Sequence, residues 1–372
     1  MKKIAAYIIC MALAGACIYP YNPELSKEET ERILVVDGEI VAGGTSVFRL
    51  FYTQGIQEET TKTAMGKVWV EDEAGNQYFD GTGAWKSISY VPTLGLTAGN
   101  KYRAGMFVDG ETYYSEWLTP VSAPEITKIS FNADENTVYA LADLDGGESA
   151  TGYIGITFDE TWEFHSDLEA ELVIDPETWT FPPMMEQYPY YWCWKSMETH
   201  TMVLIDYSKY LGTKVNGATV QRFSRTDSRN HKKYSIQMRA RNLSKEAYEY
   251  INYVQDVASG GSNLFTPDPG IMEGNLHCET NPEKKVMGLV HAACATSSRA
   301  FLDSRYLKYI APDESLLVIV PEEDYPYYYN DRGYRPVKNI VRDELSGVGW
   351  GPERCINCIV AGGTQEKPDF WE

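Results

Sequence analysis

The chain has 372 residues, with 33 Lys and Arg against 53 Asp and Glu, a net charge of −20 and a pI near 4.7. Acidity spread along the whole chain excludes nucleic acid as a natural partner, because phosphate binding needs clustered Lys and Arg. A hydrophobic fraction of 43% with 27 Tyr supplies a sizeable core and excludes a mainly disordered chain, and the length predicts about two domains.

Lys2 and Lys3 precede an apolar run from Ile4 to Ala14, which leads to the small-residue junction Ala14-Gly15-Ala16-Cys17. A positive start, a short apolar stretch and small residues describe a secretory signal, and the run is too short to span a bilayer. The junction resembles the lipobox of bacterial lipoproteins, with Leu13 one place early. Residues 1–16 are therefore expected to be a lipoprotein signal peptide, and Cys17 the lipidated first residue of the mature chain. The competing reading is an ordinary signal with Cys17 as an incidental thiol. Acyl chains contribute about 0.8 kcal/mol per buried methylene, so lipidation anchors a chain to a membrane without a transmembrane helix. Residues 17–31 read as a polar tether.

From 32 to 121 the chain reads as short strands. Ile33–Asp37, Ser46–Tyr52 and Lys67–Val70 are β-branched or aromatic and separated by polar turns. Asp109-Gly110 sits between Met106–Val108 and Thr112–Tyr114, a strong hairpin signal. Regular strand spacing without helical periodicity predicts a β-sandwich. Pro120 and Pro124 stiffen a linker. A second β-sandwich-like domain is expected over 125–345, with strands near 126–131, 137–141, 151–158, 201–206, 219–223, 234–240, 271–278, 286–295 and 315–320. One helix interrupts them at 244–259. Ser244 fits its N-cap, Ala247, Ile251, Val254 and Ala258 recur at helical steps, and Gly260-Gly261 ends it. Residues 346–372 form a C-terminal tail with a CxxC. The fold class is thus all-β with one short inserted helix, built as two consecutive Ig-like β-sandwiches.

With Cys10 removed and Cys17 lipidated, Cys193, Cys278, Cys294, Cys355 and Cys358 remain. An odd number leaves at least one thiol, and spacing alone cannot choose the pairs. The expectation is a bridge from Cys193 to Cys355 or Cys358, tying tail to body. Cys355-Ile-Asn-Cys358 as half a zinc site lacks a second close pair, and His277-Cys278 is a poor substitute.

No residues argue for catalysis. His165, His200, His231, His277 and His291 fall in no metal-ligand spacing, and no nucleophile elbow, P-loop or dinucleotide fingerprint appears. Asp143-Leu-Asp145-Gly146 opens like a calcium loop but lacks its remaining ligands and reads as a β-turn. Neither a metal nor another cofactor is expected.

Two aromatic clusters stand out, Tyr188-Pro-Tyr-Tyr-Trp192-Cys-Trp194 and Tyr325-Pro-Tyr-Tyr-Tyr329-Asn330. Both contain proline, so they read as loops or edge strands. Exposed Tyr and Trp offer rigid contact area for sugar rings or a protein partner. Trp192 and Trp194 are expected to face the core beside a disulfide, whereas Tyr327, Tyr328, Tyr329, Tyr190 and Tyr191 are the contact candidates.

Several segments together resemble one family. They are Leu34-Val-Val-Asp-Gly38, Leu243–Tyr248, Phe265-Thr-Pro-Asp-Pro-Gly270 with Glu273-Gly-Asn275 and Val286-Met-Gly288, and Cys355–Cys358 with Gly362-Gly-Thr364 and Lys367–Trp371. Their order is similar to that of domain-of-unknown-function family 4249, a group of Bacteroidota outer-membrane lipoproteins. The resemblance implies a lipoprotein often encoded beside a TonB-dependent transporter, with no established activity and no catalytic residues. Ile18–Pro23 lacks the acidic run associated with surface export, so surface-facing and periplasm-facing placements both stay open.

The expected function is a non-enzymatic, lipid-anchored outer-membrane binding protein that serves as an accessory subunit of a TonB-dependent barrel. The alternatives are a stand-alone glycan-binding (or peptide-binding) envelope lipoprotein and an envelope hydrolase whose carboxylate pair the sequence does not name.

Overall fold

The computed structural model describes residues 32–54, 62–184, 186–199, 201–259, 274–306, 308, 313–342 and 345–371. Cys17, the signal segment, His200, Gly260-Gly261 and Phe265–Gly270 lie outside the described residues.

Seven strands come first: β1 (Leu34–Ala42), β2 (Gly44–Tyr52), β3 (Gly66–Asp72), β4 (Gln77–Phe79), β5 (Ile88–Thr93), β6 (Tyr102–Val108) and β7 (Glu111–Ser115). In β1 the two-residue period buries Leu34, Val36, Ile40 and Ala42 and turns Asp37 and Glu39 away from that core. Seven more strands follow: β8 (Glu125–Ala133), β9 (Thr137–Asp145), β10 (Tyr153–His165), β11 (Trp192–Glu198), β12 (Val203–Asp206), β13 (Lys214–Ser224) and β14 (Lys233–Asn242). Helix α1 (Lys245–Ala258) comes next, its Ser244 side chain accepting from the Ala247 amide at 3.1 Å as an N-cap does. The chain then forms β15 (Leu276–Cys278), β16 (Val286–Cys294), β17 (Thr296–Asp303), β18 (Val318–Ile319), α2 (Tyr325–Asn330), β19 (Tyr334–Arg342) and β20 (Leu345–Pro352).

Two sheets enclose the first core, ordered β16-β1-β2-β5 and β15-β7-β6-β3-β4. The second core lies between a sheet ordered β11-β10-β14-β17, with β12 also on β10, and a sheet ordered β13-β9-β8. The two-sandwich architecture follows, but its division along the chain differs from the sequence reading. The hairpin expected inside the second sandwich completes the first, since β16 pairs in parallel with β1 from Leu34–Val286 to Ala42–Cys294 and β15 pairs with β7. Both pairings bring together residues far apart in sequence, and no local turn chemistry announces them. After β16 a single residue, Ala295, leads into β17 of the second sandwich.

The chain therefore crosses between the sandwiches three times, at the proline linker, after β14 and at Ala295, and the first and last of these crossings meet. The Cys294 amide donates to the Val121 carbonyl at 2.8 Å, joining the last crossing to the Pro120–Pro124 linker. Nearby, the Asn242 side-chain amide donates to the Ser122 and Gly146 carbonyls at 2.9 and 3.1 Å. Arg241 of β14 reaches across to Glu39 of β1, and its guanidinium also donates to Thr157 at 3.3 and 3.4 Å.

A small third sheet, ordered β18-β20-β19, uses residues assigned by sequence partly to the second domain and partly to the tail. It packs with Leu168, Ala170 and Ile174, which come from the long connection between β10 and β11. Ser315–Val320, expected as the last strand, contributes only Val318–Ile319 to this sheet.

The second aromatic cluster differs from the loop or edge strand expected. Tyr325–Asn330 is the short helix α2, with Pro326 in its first turn. Proline disrupts a strand ladder, but at the start of a helix the missing amide needs no partner.

Candidate binding cleft

Local strand geometry sets the site. In β11 the alternation sends Cys193 inward, fully buried in the second core, and sends Trp192 and Trp194 to the opposite, outer face. Both indoles are half-buried there, so the expectation that they face the core is corrected. A side chain that enters the core at Cys193 forces its two neighbours out.

The tail arrives over this face. Cys358 is disulfide-bonded to Cys193, leaving Cys278, Cys294 and Cys355 as free thiols, the first and last of them buried. With its sulfur in that bridge, Cys358 is not a zinc ligand. Among the described residues no group of three or more His, Cys, Asp or Glu is placed to hold a metal ion. Past the bridge, the Trp194 and Thr364 amides and carbonyls exchange two hydrogen bonds of 2.8 Å, which extends the sheet by one bridge beyond its edge strand. Gly363 makes the approach feasible, since a Cβ there would stand 2.7 Å from the Cys193 Cβ and 2.9 Å from the Cys358 carbonyl oxygen. The last turns lay Phe370 under the Arg299 guanidinium, 3.5 Å from its ring centroid, and Trp371 edge-on against Phe301.

Between tail and sheet lies a cleft of about 500 Å³ lined by Glu163, Trp194, Lys232, Lys233, Asp303, Lys367 and Trp371. Its floor is a single row across four adjacent strands, because Trp194 pairs with Glu163, Glu163 with Lys233, and Lys233 with Asp303. Lys232 binds the Glu163 carboxylate and lies 4.9 Å from the Trp192 ring centroid. The Lys233 ammonium is 4.7 Å from the Phe301 centroid and 5.7 Å from that of Trp371. The covered indole N–H of Trp194 has no acceptor among the described residues.

The aromatic candidates named from sequence are placed elsewhere. Tyr191 stacks on His165, which also stacks on His231 at 4.1 Å, and Tyr190 sits edge-on to Tyr188. Tyr328 packs on Tyr334, and Tyr329 packs on Trp179 with the Arg335 guanidinium 3.8 Å from its centroid. Tyr328 and Tyr329 pack against the core of the third sheet, and of the Tyr327–Tyr329 run Tyr327 is the one more than half exposed, at 52%. Behind the His165 pair, burial and then the neighbouring His165 push His231 down to about 4.

The first sandwich carries an aromatic face that the sequence reading did not single out. Trp69 lies over Gly105, where a Cβ would stand 2.3 Å from its ring, and touches Phe79 and Tyr114. Arg103 sits 3.9 Å from the Tyr114 centroid and 4.7 Å from that of Trp117, while Trp85 packs on Phe107. Phe79, Trp85 and Trp117 remain 49%, 44% and 40% exposed. Burial works against the Glu71 charge, but hydrogen bonds from Gln77 and Arg103 hold its carboxyl below the usual range. The available signal was parity: Trp69 occupies the outward position of β3 between the inward Val68 and Val70 of a hairpin sheet.

A double β-sandwich with an aromatic, lysine-bearing cleft under a disulfide-anchored tail is the class that fold and site define. The domain of unknown function DUF4249 matches residues 18–299, more than half of the chain, and the protein belongs to that family. No curated protein matches it. A two-domain fibronectin type-III segment of chicken tenascin is similar to it at 11% identity, covering 56% of this chain and 91% of that one, with a TM-score of 0.17. At that score the two chains do not superpose as wholes, and the sandwiches are defined by their own sheets.

Proposed function

We propose that this protein is a lipid-anchored outer-membrane binding protein, an accessory subunit of a TonB-dependent transporter system that captures ligand for the barrel. The observation that carries the binding reading is the cleft of Trp194 and Trp371, whose size falls within the roughly 300–1,000 Å³ of small-molecule sites. The Cys17 junction supports the anchor, and the kinship with family 4249 supports the transporter. The cleft favours binding over hydrolysis, because Lys233 lies between Glu163 and Asp303 on the floor and Lys232 holds the Glu163 carboxylate.

The test is an affinity pull-down of the tagged lipoprotein from detergent-solubilised outer membrane, read by mass spectrometry. A stoichiometric β-barrel is the expected result, and recovery of the lipoprotein alone would overturn the subunit reading. The second reading, a stand-alone glycan-binding lipoprotein, is favoured by the exposed Phe79, Trp85 and Trp117 on the first sandwich. Under it, the lipoprotein purified alone binds cell-envelope glycans, and Trp85→Ala with Trp117→Ala abolishes that binding.

A further inference from the structure

We infer that the Trp194–Trp371 cleft is a subsite for a carboxylate-bearing sugar, a uronic-acid residue of an acidic saccharide. The inference rests on the binding reading above and names its ligand class.

Charge is the first ground. In a chain of net charge −20, Lys232, Lys233 and Lys367 converge on one cleft and outnumber its two acids, Glu163 and Asp303. The Lys232 ammonium holds Glu163, which reduces the negative field on the floor further. Field lines concentrate in such a cleft, so a local positive lining draws an anion against the acidic background.

Preorganisation is the second. The Lys232 and Lys233 ammonium groups already rest against the Trp192, Phe301 and Trp371 rings, at 4.9, 4.7 and 5.7 Å from the centroids. Side chains fixed before the ligand arrives lose less entropy on binding. Lys367 stands exposed on the tail and lines the cleft.

The third is the apolar wall. Trp194 is half-buried and Trp371 is 4% exposed, and both indoles line the cleft. The C–H face of a pyranose packs on such a surface, its hydroxyls donate to Asp303 and Glu163, and its carboxylate accepts from the lysines. A free phosphate would leave the indole unused, and a neutral sugar would draw nothing from the excess of lysines over acids in the lining. Strands about 4.8 Å apart make the four-residue floor roughly 14 Å wide, room for more than one sugar ring.

Isothermal titration of the whole mature protein tests this, with trigalacturonate, an alginate trimer and a hyaluronan tetrasaccharide as probes and galactotriose as the neutral control. At least one acidic probe should bind, the neutral control roughly tenfold more weakly, and the affinity should fall as salt rises. Lys367→Glu, at an exposed position that leaves folding intact, should weaken the acidic probe by about tenfold, as should Trp194→Ala. Equal binding of acidic and neutral probes would overturn the carboxylate assignment. So would an undiminished affinity in Lys367→Glu, or no binding by any acidic probe. A failure here leaves the pull-down result untouched, so the ligand class and the transporter reading are judged separately.

Discussion

Arg241 of the second sandwich and Glu39 of the first form an ion pair across the junction, with Arg241 Nε 2.5 Å from Glu39 Oε1. Both side chains are largely buried, and the buried His291 lies against them on β16. Neither sandwich alone supplies both charges, so the pair marks the assembled state of the two.

Removing one partner is expected to cost more than removing both. Arg241→Met leaves the Glu39 carboxylate in a dry junction and should destabilise by about 3 kcal/mol. The double variant Glu39→Met with Arg241→Met should recover most of that loss. Urea unfolding of the four proteins measures the cycle, and strictly additive losses would show the pair is uncoupled.

Non-reducing peptide mapping should find Cys193 cross-linked to Cys358, with Cys278, Cys294 and Cys355 as thiols. Replacing Cys193 and Cys358 together by Ser should lower stability by about 2–4 kcal/mol. It should also lower the affinity of any cleft ligand, because Lys367 and Trp371 are held by the same tail. A cross-link from Cys355 to Cys358 would contradict the arrangement.

Gly363→Ala tests the tail's seat. The new methyl would meet the Cys193 Cβ and the Cys358 carbonyl at under 3 Å, and overpacking of that kind costs about 1–3 kcal/mol. Thermal unfolding under oxidising conditions should show the loss. A Gly75→Ala control, at a turn with open space around it, reports only the cost of its positive φ.

Histidine sets the acid limit. Burial, then the adjacent His165, holds His231 down to about 4, against roughly 6.5 in the unfolded chain. The unfolded state therefore binds the proton first, and stability is lost as pH falls from about 6.5 towards 4. Allowing for partial exposure, the loss is on the order of 2 kcal/mol. His291, whose proton affinity is lowered first by its burial, adds in the same direction. Denaturant midpoints from pH 7.5 to 4.5 should decline, and more shallowly in His231→Gln.

Period-two alternation made the strands of both sandwiches legible, and Ser244 made the start of α1 legible. The pairing of β16 with β1 was not, because parallel partners far apart in sequence share no turn to set their register. Pro326 pointed to a broken strand when it begins a helix. At the site, expecting Cys193 in a bridge and its flanking tryptophans in the core combined two readings that one strand cannot satisfy. Following the parity of Cys193 alone would have placed Trp194 on the outer face. The row that joins it to Glu163, Lys233 and Asp303 depends on register between strands, which no single segment encodes.

The return of β15 and β16 to the first sandwich sets an order of events in folding. As the chain emerges from its N-terminus, β1 and β7 wait as open sheet edges until residue 294 has appeared, by which point most of the second sandwich is present. Domain-by-domain maturation from the N-terminus is closed to this protein. A fragment ending at the proline linker is a sandwich with two unmade seams, and a nick in that linker leaves the halves joined by the two later crossings.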